Sequence, residues 1–302
     1  MLDHLAQAGS DARHLIRHAA PLVFGIFGTL GDGSVGREDD EVREGGSGIF
    51  IAPFLAITAR HVSKDLYQLG GREEARRFHQ SLHAAHLFQC LDPFNPESSE
   101  KSLWHVDRSW SSPHTDITLL QVSAENEIAK RLQVEMPSRF FEWHLSPPLI
   151  GSTVYAIGFP QLRVRPDGRD VICSAPFTLQ ELQVTQVYPL GRDKGMLNFP
   201  CFEVDDSVDH GFSGGPVFYK DKLCGIVTSG STFDSRSHIA LLWPLTLMDY
   251  RNEFGGKSRF GDLLDRGVIA ASDWREIRNR ISKGENEFGD PCLFINAEKP
   301  TS

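Results

Sequence analysis

The chain has 302 residues, 40% of them hydrophobic and 24% charged, which suits one large core or two modest ones and excludes a disordered chain. A formal net charge of −9 provides no basic field to draw phosphate backbones or anionic lipid, so nucleic acid and membrane are excluded as expected partners and proteins or small molecules remain. The five cysteines, Cys90, Cys173, Cys201, Cys224 and Cys292, form no C-x-x-C pair and are odd in number, which points to a reducing, cytoplasmic setting.

Helical periodicity opens the chain, from about Leu2 to His18. The apolar run AAPLVFGIFGTL, 19–30, follows Arg13 and Arg17 in loose imitation of a signal peptide. It holds Pro21 and two glycines, is too short to span a bilayer and precedes no A-x-A pattern, so a first core strand is expected there. After a polar loop, 31–46, come the β-like runs SGIFIAP and FLAITA. REEARRFHQSLHAAH, 72–86, reads as a helix, and a second polar loop follows at 93–100. Then ITLLQV, TVYAIGF, LQVTQV, PVFY and LCGIVTS are again short and rich in β-branched and aromatic residues. Helical pattern returns in LTLMDY and ASDWREIRNRI. Many short strands without alternating helices predict an all-β sandwich or barrel fold.

Two clusters carry chemistry-bearing residues. His79, His83 and His86 would share one face of the 72–86 helix, but spacing fixes no carboxylate or cysteine beside them, so a polar helix face is expected rather than a metal site. The other is HGFSGGPVF, 210–218, which sets Ser213 in a G-x-S-x-G frame shared by two kinds of hydrolase. In an α/β-hydrolase the serine sits on a strand-to-helix turn, with the acid and the histidine later in the chain. Here Gly214, Gly215 and Pro216 lead into a β-like run, and the downstream candidates, Asp221 or Asp234 with His238, lie within 25 residues of Ser213. The other kind places its partners upstream in the order His, Asp, Ser. His61 ends the run AITARH, Asp116 starts DITLLQV, and Ser213 follows, with separations of 55 and 97 residues.

On these segments the chain resembles the trypsin-like, or chymotrypsin-fold, serine peptidases, with its nearest likeness in the bacterial HtrA-like branch. The likeness spans about Pro21 to Tyr250. GSGIFIAPFLAITARHV is similar to the hairpin that ends in that family's histidine, TDITLLQV to its aspartate strand, and GSTVYAIGFP to the opening of its second barrel. VDDSVDHGFSGGPVF is similar to its nucleophile loop, and LCGIVTSG to the strand beside bound substrate. The resemblance implies two six-stranded antiparallel β-barrels. The expected division is an N-terminal helical segment, 1–20, barrels at 21–137 and 138–250, and a C-terminal helical extension, 251–302.

The chemistry explains the residue types. A serine hydroxyl is a weak nucleophile until a neutral imidazole takes its proton, and the imidazole needs a carboxylate to hold its tautomer. Ser213, His61 and Asp116 take those roles, and the backbone N–H groups of Gly211 and Ser213 are expected to form the oxyanion hole. The resemblance implies a hydrogen bond from Thr228 to Asp116 and places Ser229 and Gly230 on the substrate strand. Counting back from Ser213 puts Ser207 at the floor of the specificity pocket, which disfavours Lys and Arg substrates. His238 falls on the strand that closes the pocket, where it would narrow the pocket or offer a hydrogen bond; a solvent-facing loop histidine is the competing reading. Phe212 replaces the aspartate that zymogen-type members use, so the loop is expected to fold unaided or to be ordered by neighbouring loops on binding a protein partner. The segment after Tyr250 is too short for a PDZ module, and no cofactor or metal is expected. The implied activity is hydrolysis of protein or peptide substrates through an acyl-enzyme. A protease-like adaptor without catalysis is the alternative, disfavoured because all three triad positions hold the needed residues.

Overall fold

The computed structural model describes residues 10–29, 42–67, 84–90, 100–135, 140–167, 170–174, 176–231, 235–251, 256–285 and 291–296. Helix α1 (Ser10–Ala19) precedes strands β1 (Val23–Thr29), β2 (Val42–Ala52) and β3 (Leu55–Ala59), then helix α2 (Arg60–Tyr67). Strands β4 (Ala84–Cys90), β5 (Lys101–Ser111) and β6 (Ile117–Ala124) complete the first half, closed by helix α3 (Glu127–Glu135). The second half has β7 (Thr153–Gly158), the hairpin β8 (Arg163–Asp167) and β9 (Asp170–Ser174), then β10 (Thr178–Tyr188) and β11 (Cys201–Val204). It continues through β12 (Pro216–Tyr219), β13 (Lys222–Ser231) and β14 (Arg236–Leu241) to a short 3-10 helix, Trp243–Leu247.

Two closed antiparallel barrels result, in the orders β1-β2-β3-β6-β5-β4 and β10-β11-β14-β13-β12-β7. Each strand is made by a pattern of burial rather than by propensity alone. In β10 only Leu182 and Val184 are buried, two residues apart on one face, whereas β11 and β12 are buried along their whole length. The β12–β13 hairpin turns through Lys220 and Asp221 at φ of 49° and 59°, the left-handed pair that a two-residue turn between twisted strands requires. In the first barrel Phe24 meets Phe50 edge to face, and Phe50 meets Trp104 at a tilt, with ring centroids 5.2 and 4.9 Å apart.

Strand β4 departs from the helical expectation for 72–86. Residues 72–83 lie outside the described residues, but Ala84–His86 belong to a strand paired with both β1 and β5. Pairing on both edges overrides the local helical pattern. His86 is fully buried, stacks on Phe27 and bonds Glu125 through Nδ1 at 2.8 Å, so it lies on no shared helix face; His79 and His83 lie outside the described residues. At the N-terminus, α1 covers the last part of the expected 2–18 helix range and runs to Ala19, with Leu15 and Ile16 buried; residues 2–9 lie outside the described residues.

Of the two helical patterns expected near the C-terminus, ASDWREIRNRI holds a helix, α5 (Trp274–Arg278), preceded by α4 (Gly261–Asp265), whereas LTLMDY is not one helix: its first half ends the 3-10 helix and Asp249–Tyr250 enter a strand, where backbone pairing overrides the local pattern. The helices are accompanied by two strand pairs that the sequence does not announce. These are β15 (Asp249–Arg251) with β16 (Lys257–Arg259), and β17 (Ile281–Glu285) with β18 (Pro291–Ile295). The extension packs on the second barrel through residues 141–146. Trp143 bridges Leu223 on one side and Ala271 on the other, and the Asp273 carboxylate accepts the N–H groups of Leu145 and Ser146. Among the described residues no helix is long and apolar enough to cross a membrane. Cys201 and Cys224 are free and buried; burial pushes the Cys201 thiol up to about 12, which leaves it unreactive near neutral pH.

Candidate active site

Strand register brings His61 and Asp116 together. Strands β3 and β6 pair antiparallel with Ala59 opposite Ile117, and one step past the ladder Arg60 N–H bonds the Asp116 carbonyl at 2.7 Å. The chain then turns into α2, and His61 N–H reaches Asp116 Oδ1 at 3.2 Å while its ring Nδ1 lies 2.7 Å from Oδ2. A carboxylate can only accept, so Nδ1 carries the proton and Nε2 is left as the acceptor. Thr228 Oγ1, from β13 of the other barrel, also donates to Asp116 Oδ2. Arg60 Nε stands 3.8 Å from Oδ1, and Arg60 Nη1 donates to the Ser112 carbonyl. Asp116 is therefore a buried carboxylate held by partners on two barrels.

Ser213 lies on a loop that leads straight into strand β12, not into a helix. The loop is fixed by its backbone. Phe212 N–H bonds Asp209 O at 3.2 Å, Gly214 N–H bonds Val227 O at 2.8 Å, and Gly215 N–H bonds Phe212 O at 2.7 Å. The N–H groups of Gly211 and Ser213 alternate with these and have no partner among the described residues. Such alternation leaves two donors of one loop unspent, the arrangement that a developing oxyanion needs. Gly211 sits at φ 97°, and a Cβ there would lie 2.5 Å from the Phe159 carbonyl oxygen, so only glycine fits this turn.

The loop docks against the first barrel. Ser47 N–H bonds the Ser213 carbonyl at 2.8 Å, and Gly46 permits that approach because a side chain there would collide with the same oxygen. On the other side, Gly214 bonds Val227, the neighbour of Thr228. Ser213 thus sits between the β3–α2 corner that carries His61 and the β13 residue that holds Asp116. Ser213 Oγ and His61 share no hydrogen bond among the described residues. Phe212 is buried, 1% exposed, and packs over Gly158, where an activation aspartate would need a cleaved amino terminus.

The remaining candidates lie further along the second barrel. Ser207 is half-buried in the turn after β11; its N–H bonds Asp206 Oδ1 and its carbonyl accepts from Gln180 Nε2. Ser229 and Gly230 lie on β13, opposite His238 and Ser237 of β14. His238 is on a strand and 1% exposed, which is not the environment of a solvent-facing loop histidine. Its Nε2 lies 2.9 Å from Arg192 Nη1 and 3.5 Å from Glu203 Oε2. Glu203 is also buried and accepts from Thr185, Tyr188 and Arg236. Sequence reasoning missed Ser47 and Glu203. Ser47 stood inside the quoted hairpin, between two glycines, but no spacing rule marks a serine that acts through the neighbouring barrel.

Residues 46–226 match the family described as the trypsin-like peptidase domain, a span that contains His61, Asp116 and Ser213. Similar solved structures include the Rv3671c protease from M. tuberculosis in its active form, at 14% identity and a TM-score of 0.48, covering 76% of this chain and 79% of that one. The MamO protease domain from Magnetospirillum magneticum is similar at 13% identity and a TM-score of 0.44, covering 74% and 93%. A search of curated proteins found no match. The family match extends over more than half of the sequence, and the two barrels have the architecture that family requires; the chain belongs to the trypsin-like peptidases.

Proposed function

We propose that the protein is a serine endopeptidase that cleaves peptide bonds of protein substrates through an acyl-enzyme. The observation that carries this reading is the shared Asp116 carboxylate, bonded by His61 and by Thr228 of the opposite barrel, beside a loop with two unspent N–H donors around Ser213. Ser213 Oγ attacks the scissile carbonyl carbon and passes its proton to His61 Nε2, while Asp116 stabilises the imidazolium. The oxygen of the tetrahedral species takes the N–H groups of Gly211 and Ser213. His61 then protonates the leaving amine, and a water molecule, deprotonated by the same nitrogen, releases the acyl group and restores Ser213.

The substrate has a place to lie. Strand β12 leaves β13 at Ile226, so on that side residues 228–231 face no strand among the described residues. An extended peptide adding to this edge would run past Ser213 with its main chain hydrogen-bonded. Phe212 supports a loop ordered without a new amino terminus.

Labelling with a fluorophosphonate probe tests the reading. The wild-type protein is expected to take up one probe per chain, and Ser213→Ala none, with peptide hydrolysis by that variant reduced roughly a million-fold. Equal labelling of the two proteins points instead to an adaptor without catalysis.

A further inference from the structure

Ser47 is a buried residue to which the reaction steps above assign nothing. It lies on β2 in the first barrel, 0% exposed, yet every polar atom it has is spent, and most are spent on the nucleophile loop of the second barrel. Its N–H donates to the Ser213 carbonyl at 2.8 Å. Its hydroxyl donates to the Gly211 carbonyl at 2.6 Å, across 164 residues of chain, and accepts the Phe159 N–H at 2.9 Å. Its own carbonyl takes the Thr58 hydroxyl at 2.7 Å. A serine hydroxyl has one proton; here it goes to Gly211, and the Phe159 N–H occupies a lone pair, so the rotor has one orientation.

The consequence lies in the peptide between Gly211 and Phe212. That peptide separates the two unspent donors, the N–H groups of 211 and 213. Its carbonyl is tethered to Ser47 and its N–H to Asp209 O, and the carbonyl of Ser213 just beyond is tethered to Ser47 again. The direction in which the 211 and 213 N–H groups point is therefore set jointly by the loop's own bond to Asp209 O and, from the other barrel, by one side chain and its amide. Gly211, with no Cβ and a left-handed φ, has no internal restraint on this choice.

We infer that Ser47 is the positioning residue of the oxyanion hole, holding its two donors aimed in the uncleaved chain and so replacing the ion pair that a freed amino terminus would otherwise supply. The inference rests on the serine peptidase reading above. Without the Ser47 hydroxyl, the Gly211 carbonyl loses its bond and the middle peptide can turn, carrying the donors with it. Ground-state binding along the β13 edge does not use these groups, so the loss falls on the transition state.

The test compares wild type with Ser47→Ala on one peptide amide substrate, alongside binding of two matched inhibitors. One is a peptide boronic acid, whose tetrahedral adduct on the nucleophile puts an oxygen in the hole; the other is the same peptide as a simple carboxamide. Expected are a fall in kcat and a parallel fall in boronic acid affinity of roughly 10- to 100-fold, with KM and carboxamide affinity held within about twofold. A folded Ser47→Ala protein with unchanged kcat, or with KM raised and kcat kept, overturns the inference. If that variant does not fold, Ser47→Cys carries the test with the same split at smaller size, because sulfur is a weaker donor and acceptor. A wild type whose fluorophosphonate labelling does not depend on Ser213 removes the peptidase reading and this inference together; normal labelling with an indifferent Ser47 variant removes this inference alone.

Discussion

In the first barrel, the site residues are placed by a ladder. Strands β3 and β6 pair up to Ala59 and Ile117, and the next residues, Arg60, His61 and Asp116, are delivered together at the strand ends. In the second barrel no ladder reaches Ser213. Its loop is a run of turns held by alternate backbone bonds and by contacts that come from the first barrel through Ser47. One half is built by strand register within a barrel and the other by contacts between barrels. The first half should therefore tolerate backbone change poorly but keep its own geometry, while the second should depend on what lies across the cleft.

The predictions separate these two modes. Asp116→Asn attacks the ladder half. It leaves the fold intact but presents the wrong partner to Nδ1, and kcat is expected to drop by about 10⁴, read in steady-state hydrolysis. A loss of tenfold or less would mean that His61 does not rely on this carboxylate. Gly211→Ala attacks the loop half. A Cβ pressed on the Phe159 carbonyl forces the turn to move, so a loss of roughly 10²- to 10³-fold in kcat is expected with the circular dichroism spectrum preserved. Unchanged turnover would show that the 211 amide has no part in stabilising the oxyanion.

Thr228→Val probes the side chain that, among the described residues, joins the halves at Asp116. Loss of a hydrogen bond to a charged group costs about 1.5 kcal/mol, or roughly tenfold in kcat. In an Asp116→Asn background the same change should add little, since the two act through one carboxylate; full additivity would place Thr228 elsewhere in the mechanism.

Glu203 gives the smallest effect on turnover and a contrast in kind, because none of its bonds goes to Ser213, His61 or Asp116. Burial alone would raise its carboxyl, but bonds from Thr185, Arg236 and Tyr188, with the charge of Arg236, outweigh burial and hold it below the ordinary 4.5. A depressed carboxylate contributes stability that is present above pH 4.5 and lost as pH falls through its lower folded value. Glu203→Gln should thus lower the melting temperature at neutral pH by the equivalent of about 1–2 kcal/mol and flatten the acid side of the stability profile. Melting curves at several pH values check this, and a variant with an unaltered acid profile would remove Glu203 from the acid-labile groups.

Sequence showed these regions unequally. The runs AITARHV, TDITLLQV and HGFSGGPVF are legible because each joins a short hydrophobic strand to a chemically distinctive residue. Strand β4 was hidden because Ala84–His86 end a helix-like pattern and become a strand only by pairing with β1 and β5. Strand β5 was missed although its burial alternates over Ser102, Trp104 and Val106, since its solvent side is charged and its apolar residues are few. Ser47 could not be read at all: its importance is set by Gly211, 164 residues away, and no local pattern encodes that meeting. Strand register leaves a trace in hydrophobic alternation, whereas contacts between barrels do not.

The most direct measurement is a pre-steady-state burst with an activated ester, followed by mass spectrometry of the quenched protein. One equivalent of leaving group should appear rapidly per chain, with the acyl mass located on Ser213 and absent after His61→Ala. An acyl group found on another residue, or a burst that survives the loss of His61, would contradict an imidazole from one barrel activating the hydroxyl of the other.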